Sequence, residues 1–183
     1  MDGIYEVIKH PKKMKLYLEN SESYQEAEQI KSLFNELKKV REPLYLKATE
    51  FDRILRWKLK GQYGRQQEWR LHNNEDTLKK ITSLAFNIQH INKEYELELR
   101  FGILSSLRGV GIPVASAFLA LCYPEQYAVI DHRGWRQVFG VEKTSFTISN
   151  YKLYLENIKL FADMLGWTPQ EVDLAIWEYD KQH

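Results

Sequence analysis

Three stretches of this chain carry residues with chemistry in them: a glycine hairpin, an isolated aspartate and a basic aromatic segment. Between Leu107 and Pro113 the sequence Leu-Arg-Gly-Val-Gly-Ile-Pro sets Gly109 and Gly111 on either side of Val110. Glycines this close make a turn too tight for two β-carbons. A turn of that kind between two helices points several backbone N–H groups in one direction. Such a nest binds an anion, and a nucleic-acid phosphate is a natural one. Asp131 stands eighteen positions after Pro113, behind the apolar approach Tyr127 to Ile130. An aspartate there is an N-cap for the next helix, its commoner role, or a carboxylate held for catalysis; both readings stay open.

Charge is unevenly spread. Residues 38–70 hold ten Lys or Arg against four acids, a local excess of +6 in a chain whose net charge is +1. Trp57, Tyr63, Trp69 and Arg65 fall in this segment. Basic and aromatic residues together suit phosphate binding and base stacking. A solvated helix face over a buried Trp57 is the plainer alternative. His132 is a phosphate contact or a surface histidine on equal terms, and Arg133 and Arg136 are expected to meet DNA or neighbouring carboxylates. The five histidines are scattered and Cys122 is the single cysteine, so no zinc or iron–sulfur spacing exists and no internal disulfide forms. No Walker loop or Rossmann fingerprint is present, because the glycine pair follows a helix and not a strand.

The elements that must position these residues read as helices throughout. Ser21 opens a helix with Ala27, Ile30, Phe34 and Leu37 on one face. Thr49 is expected to cap the next, which carries Phe51, Ile54, Leu55 and Trp57. Residues 60–74 have no period and read as an ordered loop. Asn74 caps a helix with Leu78, Ile81, Leu84, Ala85 and Ile88 inward. Asn92 caps another, with Tyr95, Leu99, Ile103 and Leu107 packed and Glu94, Glu96, Glu98 and Arg100 facing out. Val114 to Leu121 is apolar or small on every side and is expected to be central and buried. Two more helices run from Tyr151 to Gly166 and from Thr168-Pro169 to the end. Ile4, Tyr5, Val7 and Ile8 suit a short helix or a strand equally. The expected fold is all-α, with eight or nine helices in a single domain over 1–183. Two lobes are possible within it, a hairpin lobe of about 75–140 and another from the N- and C-terminal helices. No signal-like segment is read, and no apolar run reaches the roughly 18 residues a membrane span needs. The expected location is cytoplasmic, away from membranes.

Leu107, Gly109, Val110 and Gly111, with Ile130-Asp131 beyond, resemble the hairpin and catalytic aspartate of the helix-hairpin-helix DNA glycosylase superfamily, in an uncharacterised bacterial branch similar to 8-oxoguanine glycosylases. The resemblance implies a duplex DNA partner gripped by Arg108, Gly109, Val110, Gly111, His132 and Arg65. It also implies a monovalent cation on the hairpin carbonyls, no other cofactor, and Asp131 as the catalytic carboxylate. The flipped base would enter a pocket drawn from Trp57, Tyr63, Trp69, Asp173, Trp177, Tyr179 and Asp180. Bifunctional members carry a lysine where this chain has Pro113. The expected reaction is therefore monofunctional hydrolysis with water as nucleophile. Lys58 is another conceivable amine, but spacing does not place it near Asp131. The alternative is an inactive DNA-binding module on the same scaffold, in a defence or regulatory system.

Overall fold

The structure is a computed structural model that describes residues 2–183, apart from the side chains of residues 2, 3 and 5. In chain order its helices are α1 (Asp2–Lys9), α2 (Pro11–Glu19), α3 (Glu22–Val40), α4 (Ala48–Leu59), α5 (Gln67–Arg70), α6 (Glu75–Asn87), α7 (Lys93–Ser105), α8 (Ile112–Cys122), α9 (His132–Phe139), α10 (Ile148–Leu165) and α11 (Pro169–Gln182). A 3₁₀ segment, Lys60–Gln66, links α4 to α5. No strand occurs among the described residues, and none of their helices is long and apolar enough to cross a membrane.

Helix α8 is the axis. Every residue from Val114 to Cys122 is buried, and α3, α4, α7 and α11 pack around it. Pro113 lies in its first turn, where the missing N–H costs nothing. Phe118 stacks on Phe51 of α4 with ring centroids 4.5 Å apart. Each large side chain buried here contributes roughly 1.5–3 kcal/mol of transfer free energy. Polar caps fix where the surrounding helices start. Ser21, Asn74, Asn92, Thr147 and Thr168 each accept a hydrogen bond from a backbone N–H in the first turn, a contact that contributes about 1 kcal/mol.

The last helix collects the two ends of the chain. α1, α2, α9 and α10 all pack on α11. α9, assigned from sequence to the hairpin lobe, packs on α11, α1 and α10. Ile4 and Val7 are buried in α1, so the ambiguous start of the chain is helical; the side chain of Tyr5, named with them, lies outside the described residues.

The structure holds more helical segments than the eight or nine expected, partly because 60–74 is not a loop. Its 3₁₀ and α turns are closed by side chains rather than by an apolar period. The Arg70 guanidinium donates to the Tyr63 carbonyl and lies over the Tyr63 ring, 4.9 Å from its centroid. Helix α4 starts at Ala48 with Lys47 as its N-cap, not Thr49. The cause is Glu50, whose carboxylate accepts from the Lys47 N–H at 2.7 Å while Arg41 holds it at 2.7 and 2.8 Å. The faces of α6 and α7 also differ from expectation. Leu84 and Tyr95 are exposed, whereas Glu96 and Arg100 are buried. Arg100 donates to the carbonyls of Ala85, Phe86 and Ile88 at the end of α6 and to Glu96 Oε1 at 3.0 Å. Joining two helices at a buried carbonyl cluster outweighs solvating the charge, because the unpaired carbonyls would otherwise be orphaned.

Candidate active site and nucleic-acid interface

Residues 127–130, leading into α9, are buried and pinned from three sides. The Ala128 carbonyl accepts from the Tyr151 hydroxyl of α10 at 3.0 Å. The Val129 N–H donates to Asp173 Oδ2 of α11 at 2.5 Å, and the Ile130 N–H to Ser116 Oγ of α8 at 3.1 Å. These contacts deliver the next residue, Asp131, at a fixed position and angle.

Asp131 fills the capping role, and its second carboxylate oxygen is turned to a lysine. Its Oδ1 accepts from the Gly134 N–H at 2.9 Å and caps α9. Its Oδ2 faces Lys58 Nζ across 3.6 Å, with the aspartate side chain 20% exposed. The carboxylate opens into a cleft that Trp57, Lys58, Val129, Tyr154, Asp173 and Trp177 also line. A cap needs one oxygen, and the second is left for the cleft.

Lys58 corrects the sequence reading. It leaves the last turn of α4 and is within reach of Asp131, with its side chain only 10% exposed. Its Nζ also donates to the Ile130 carbonyl at 3.3 Å. The Ile130 carbonyl is 72 residues away along the chain, a separation no local spacing rule spans.

Asp173 and Trp177, one turn apart on α11, line the cleft together with Trp57. Trp57 is held by its Nε1–H, which donates to the Ser23 carbonyl at 3.0 Å. Burial pushes the Asp173 carboxyl well above the usual carboxylate range; the Val129 N–H and Lys58 oppose that, and Asp131 adds to it. Asp173 is therefore held toward its neutral form, which has an O–H to donate as well as oxygens to accept. Tyr154, absent from the sequence reading, lines the same cleft. Its hydroxyl is buried and finds no hydrogen-bond partner among the described residues.

The hairpin sits on the 60–74 segment. Gly109 has a φ of +78°, and a β-carbon there would lie 2.5 Å from Arg70 Cγ. Asn73 clamps Arg108 on both sides, accepting from its N–H at 3.0 Å and donating to its carbonyl at 2.9 Å. The Leu107 carbonyl accepts from the Val110 N–H at 3.2 Å, so two hairpin carbonyls already have a partner. Gly111, Arg108, Arg65 and Trp69 are exposed. A groove lined by Arg65, Gln66, Trp69 and Gly109 to Gly111 runs to Pro113. From Pro113 a second hollow, lined also by Lys58, Asp131 and His132, leads to the cleft. Hairpin and cleft are thus two ends of one surface.

The remaining predicted residues are elsewhere. Trp69, 50% exposed, belongs to the hairpin groove and not to the cleft. Tyr63 donates its hydroxyl to Asp52, lies under the Arg56 guanidinium at 4.2 Å, and is spent on holding α4 to the 3₁₀ segment. Asp180 accepts from Arg133 at 2.9 Å, Arg136 at 2.7 Å and Gln137 at 2.8 Å. Burial raises its carboxyl, but Arg136, Gln137 and Arg133 outweigh that and bring it below the usual range. It ties α9 to α11. Tyr179 stacks on His183 at 4.2 Å, outside the cleft. The basic excess of 38–70 is also partly consumed, by Arg41–Glu50, Arg56–Asp52, Lys60–Glu26 and Lys58–Asp131 pairs. Among the described residues no group of three or more His, Cys, Asp or Glu side chains converges as metal ligands do. No family model, curated protein or solved structure matches this chain.

Proposed function

We propose that the chain is a DNA glycosylase of helix-hairpin-helix type, which grips duplex DNA through the 107–111 hairpin and excises a base flipped into the cleft beside Asp131. One observation carries the reading: the second oxygen of a carboxylate already fixed by its cap opens into an aromatic cleft continuous with the hairpin groove. A target base must leave the stack to be reached, and Trp57 and Trp177 offer it flat apolar surfaces. Asp173 offers a donor and an acceptor for its edge. As the C1′–N bond lengthens, the deoxyribose gains oxocarbenium-like positive charge, which a preorganised carboxylate near C1′ stabilises. The logic parallels sugar hydrolysis.

The test is a panel of duplexes carrying 8-oxoguanine, alkylated purines, uracil or modified cytosines, scored for base release by alkali cleavage. Asp131→Asn keeps an oxygen to cap α9 but removes the charge. It is expected to leave melting temperature and duplex binding near wild type and to lower base release by roughly a hundredfold or more. Wild-type release by this variant would refute the role of Asp131. Binding to every duplex with release from none would favour the inactive binding module.

A further inference from the structure

The cleft holds a hydroxyl that the fold does not use. Tyr151 and Tyr154 stand on the same helix, α10, and both are fully buried. The Tyr151 hydroxyl donates to the Ala128 carbonyl at 3.0 Å. That of Tyr154 has no hydrogen-bond partner among the described residues. Phenylalanine would fill the same volume without an unpaired polar atom, a burden that native interiors rarely carry without a reason. Room is kept around this hydroxyl. A β-carbon on Gly134 would lie 2.4 Å from it, and glycine, a poor helix former, stands there in the first turn of α9. Tyr154 and Gly134 both line the cleft. Asp173 lines it too, and shows it one oxygen. Its Oδ2 accepts from the Val129 N–H. Burial holds the carboxyl toward its neutral form, and Oδ1 is then the oxygen left to carry the proton, because Oδ2 faces a donor. Two O–H groups thus belong to one end of the cleft. A carbonyl oxygen, with two lone pairs, can accept from both.

We propose that Tyr154 and Asp173 select a flipped base by a carbonyl oxygen on the edge remote from the sugar, which makes deaminated bases the substrate class. This rests on the base-excision reading and names its substrate. Hydrolytic deamination exchanges the exocyclic amino group of cytosine or adenine for a carbonyl oxygen, with water consumed and ammonia released. The products, uracil and hypoxanthine, keep nearly the same size and shape. Trp57 and Trp177 therefore offer both members of each pair the same stacking surface. The polar end of the cleft does not treat them alike. A carbonyl accepts from both O–H groups, whereas an amino group sets its own N–H groups against them and leaves the Tyr154 hydroxyl without an acceptor. A site that hydrogen-bonds one member of an isosteric pair rejects the other far more strongly than an apolar pocket does.

Free bases test the selection without DNA and without catalysis. The isotope-labelled full chain is titrated with uracil, cytosine, hypoxanthine and adenine, and the Gly134 and Val129 amide resonances report occupancy of the cleft. Uracil and hypoxanthine are expected to shift both amides and to bind roughly tenfold or more tighter than cytosine and adenine. Tyr154→Phe should bring uracil and hypoxanthine down to the level of their amino counterparts. Having lost only an unpartnered hydroxyl, it should melt no lower than wild type. Asp173→Asn keeps an oxygen for the Val129 N–H and turns an N–H donor to the cleft, so the order of preference should persist; a reversed order would show that Asp173 accepts, and would overturn the donor pair. The proposal also fails if both members of each pair bind alike, if the amino bases bind tighter, if none of the four binds, or if Tyr154→Phe keeps the carbonyl preference. Base release from uracil and hypoxanthine duplexes is scored separately. Selective binding of free bases with no release sinks base excision and leaves the carbonyl subsite. Release that ignores the carbonyl, or is undiminished in Tyr154→Phe, leaves base excision standing and sinks the subsite.

Discussion

Gly109 and Gly111 belong to one motif, yet the structure gives them different reasons to be glycine, and substitution should separate the two. Gly109 has a φ of +78°, a left-handed conformation that costs an L side chain roughly 1–2 kcal/mol. Its β-carbon would lie 2.5 Å from Arg70 Cγ and 3.0 Å from Cδ. Arg70 cannot swing aside cheaply, because its guanidinium is fixed by the Tyr63 carbonyl and ring, and overpacking of this kind costs about 1–3 kcal/mol. Gly109→Ala is therefore expected to lose about 2–5 kcal/mol, which for a chain of this size lowers the melting temperature by roughly 5–20 °C. Gly111 has an ordinary φ of −93°, and its β-carbon would meet only Pro113 Cδ, at 3.9 Å. As the N-cap of α8 it is a position where aspartate is favoured. Gly111→Asp should hold its melting temperature or raise it, while placing an anion where a phosphate would sit. Thermal melts monitored by circular dichroism and gel shifts across a salt series measure both effects. Wild-type duplex affinity should fall steeply with salt, and that of Gly111→Asp should be lost even at low salt. A Gly109→Ala melt within about 2 °C of wild type would refute the packing argument, which requires several times that shift. Unchanged DNA affinity in Gly111→Asp would refute the hairpin as the phosphate contact.

Two further predictions concern stability. Ala117 is fully buried in α8, so Ala117→Asp buries an unpaired charge at a cost on the order of the whole folding free energy. Soluble expression with an unchanged melt would show that α8 is not the axis of the core. Acid should act through Glu96: burial raises its carboxyl, but Lys93, the His90 N–H and Arg100 outweigh this and hold it at about 2, against 4.5 ordinarily. A folded-state value below the unfolded one stabilises above the unfolded value and is lost as pH falls between about 5 and 2, here by roughly 3 kcal/mol. Denaturant titrations of wild type and Glu96→Gln should show that acid-dependent loss in the first and a much flatter profile in the second; parallel profiles would remove Glu96 from the account.

The legible part of the fold is what short-range chemistry decides. Ser21, Asn74, Asn92 and Thr168 announce helix starts because a side-chain oxygen satisfies a backbone N–H three residues away or fewer, whereas Thr147 caps a helix that begins at Ile148, ahead of the start read at Tyr151. Val114 to Leu121 announces a buried helix because no face of it is polar. Failures cluster where a polar group is satisfied from far along the chain. Arg100 reads as a solvated charge until the Ala85, Phe86 and Ile88 carbonyls are seen around it. The segment at 60–74 reads as a loop because its order comes from Arg70 and Tyr63, not from a stripe of apolar residues. Asp180 reads as a base contact until Arg133, Arg136 and Gln137 are found spending all its acceptor capacity on α9. Within the site, Trp57, Asp173 and Trp177 do converge on Asp131. Both α11 residues were named as candidates from the sequence, but nothing local tied either of them to α4.

The same distinction explains why the pairing of Lys58 with Asp131 was hidden. A lysine at position 113 would be found by counting from the hairpin, since helix and turn fix its distance from Asp131. Proline there serves the start of α8 instead, a turn in which the backbone N–H has no partner to lose. Lys58 reaches the cleft through tertiary packing, since α4 packs directly on α8. Its last turn carries Arg56 and Lys58, cations that the helix C-terminus favours. Of these, Arg56 is drawn outward to Asp52 at 2.7 Å, and Lys58 is directed inward to Ile130 and Asp131. The separation of Lys58 and Asp131 is set by the docking of α4 on α8 and by the pinned 128–131 segment, so a count along the chain between lysine and aspartate carries no information about it.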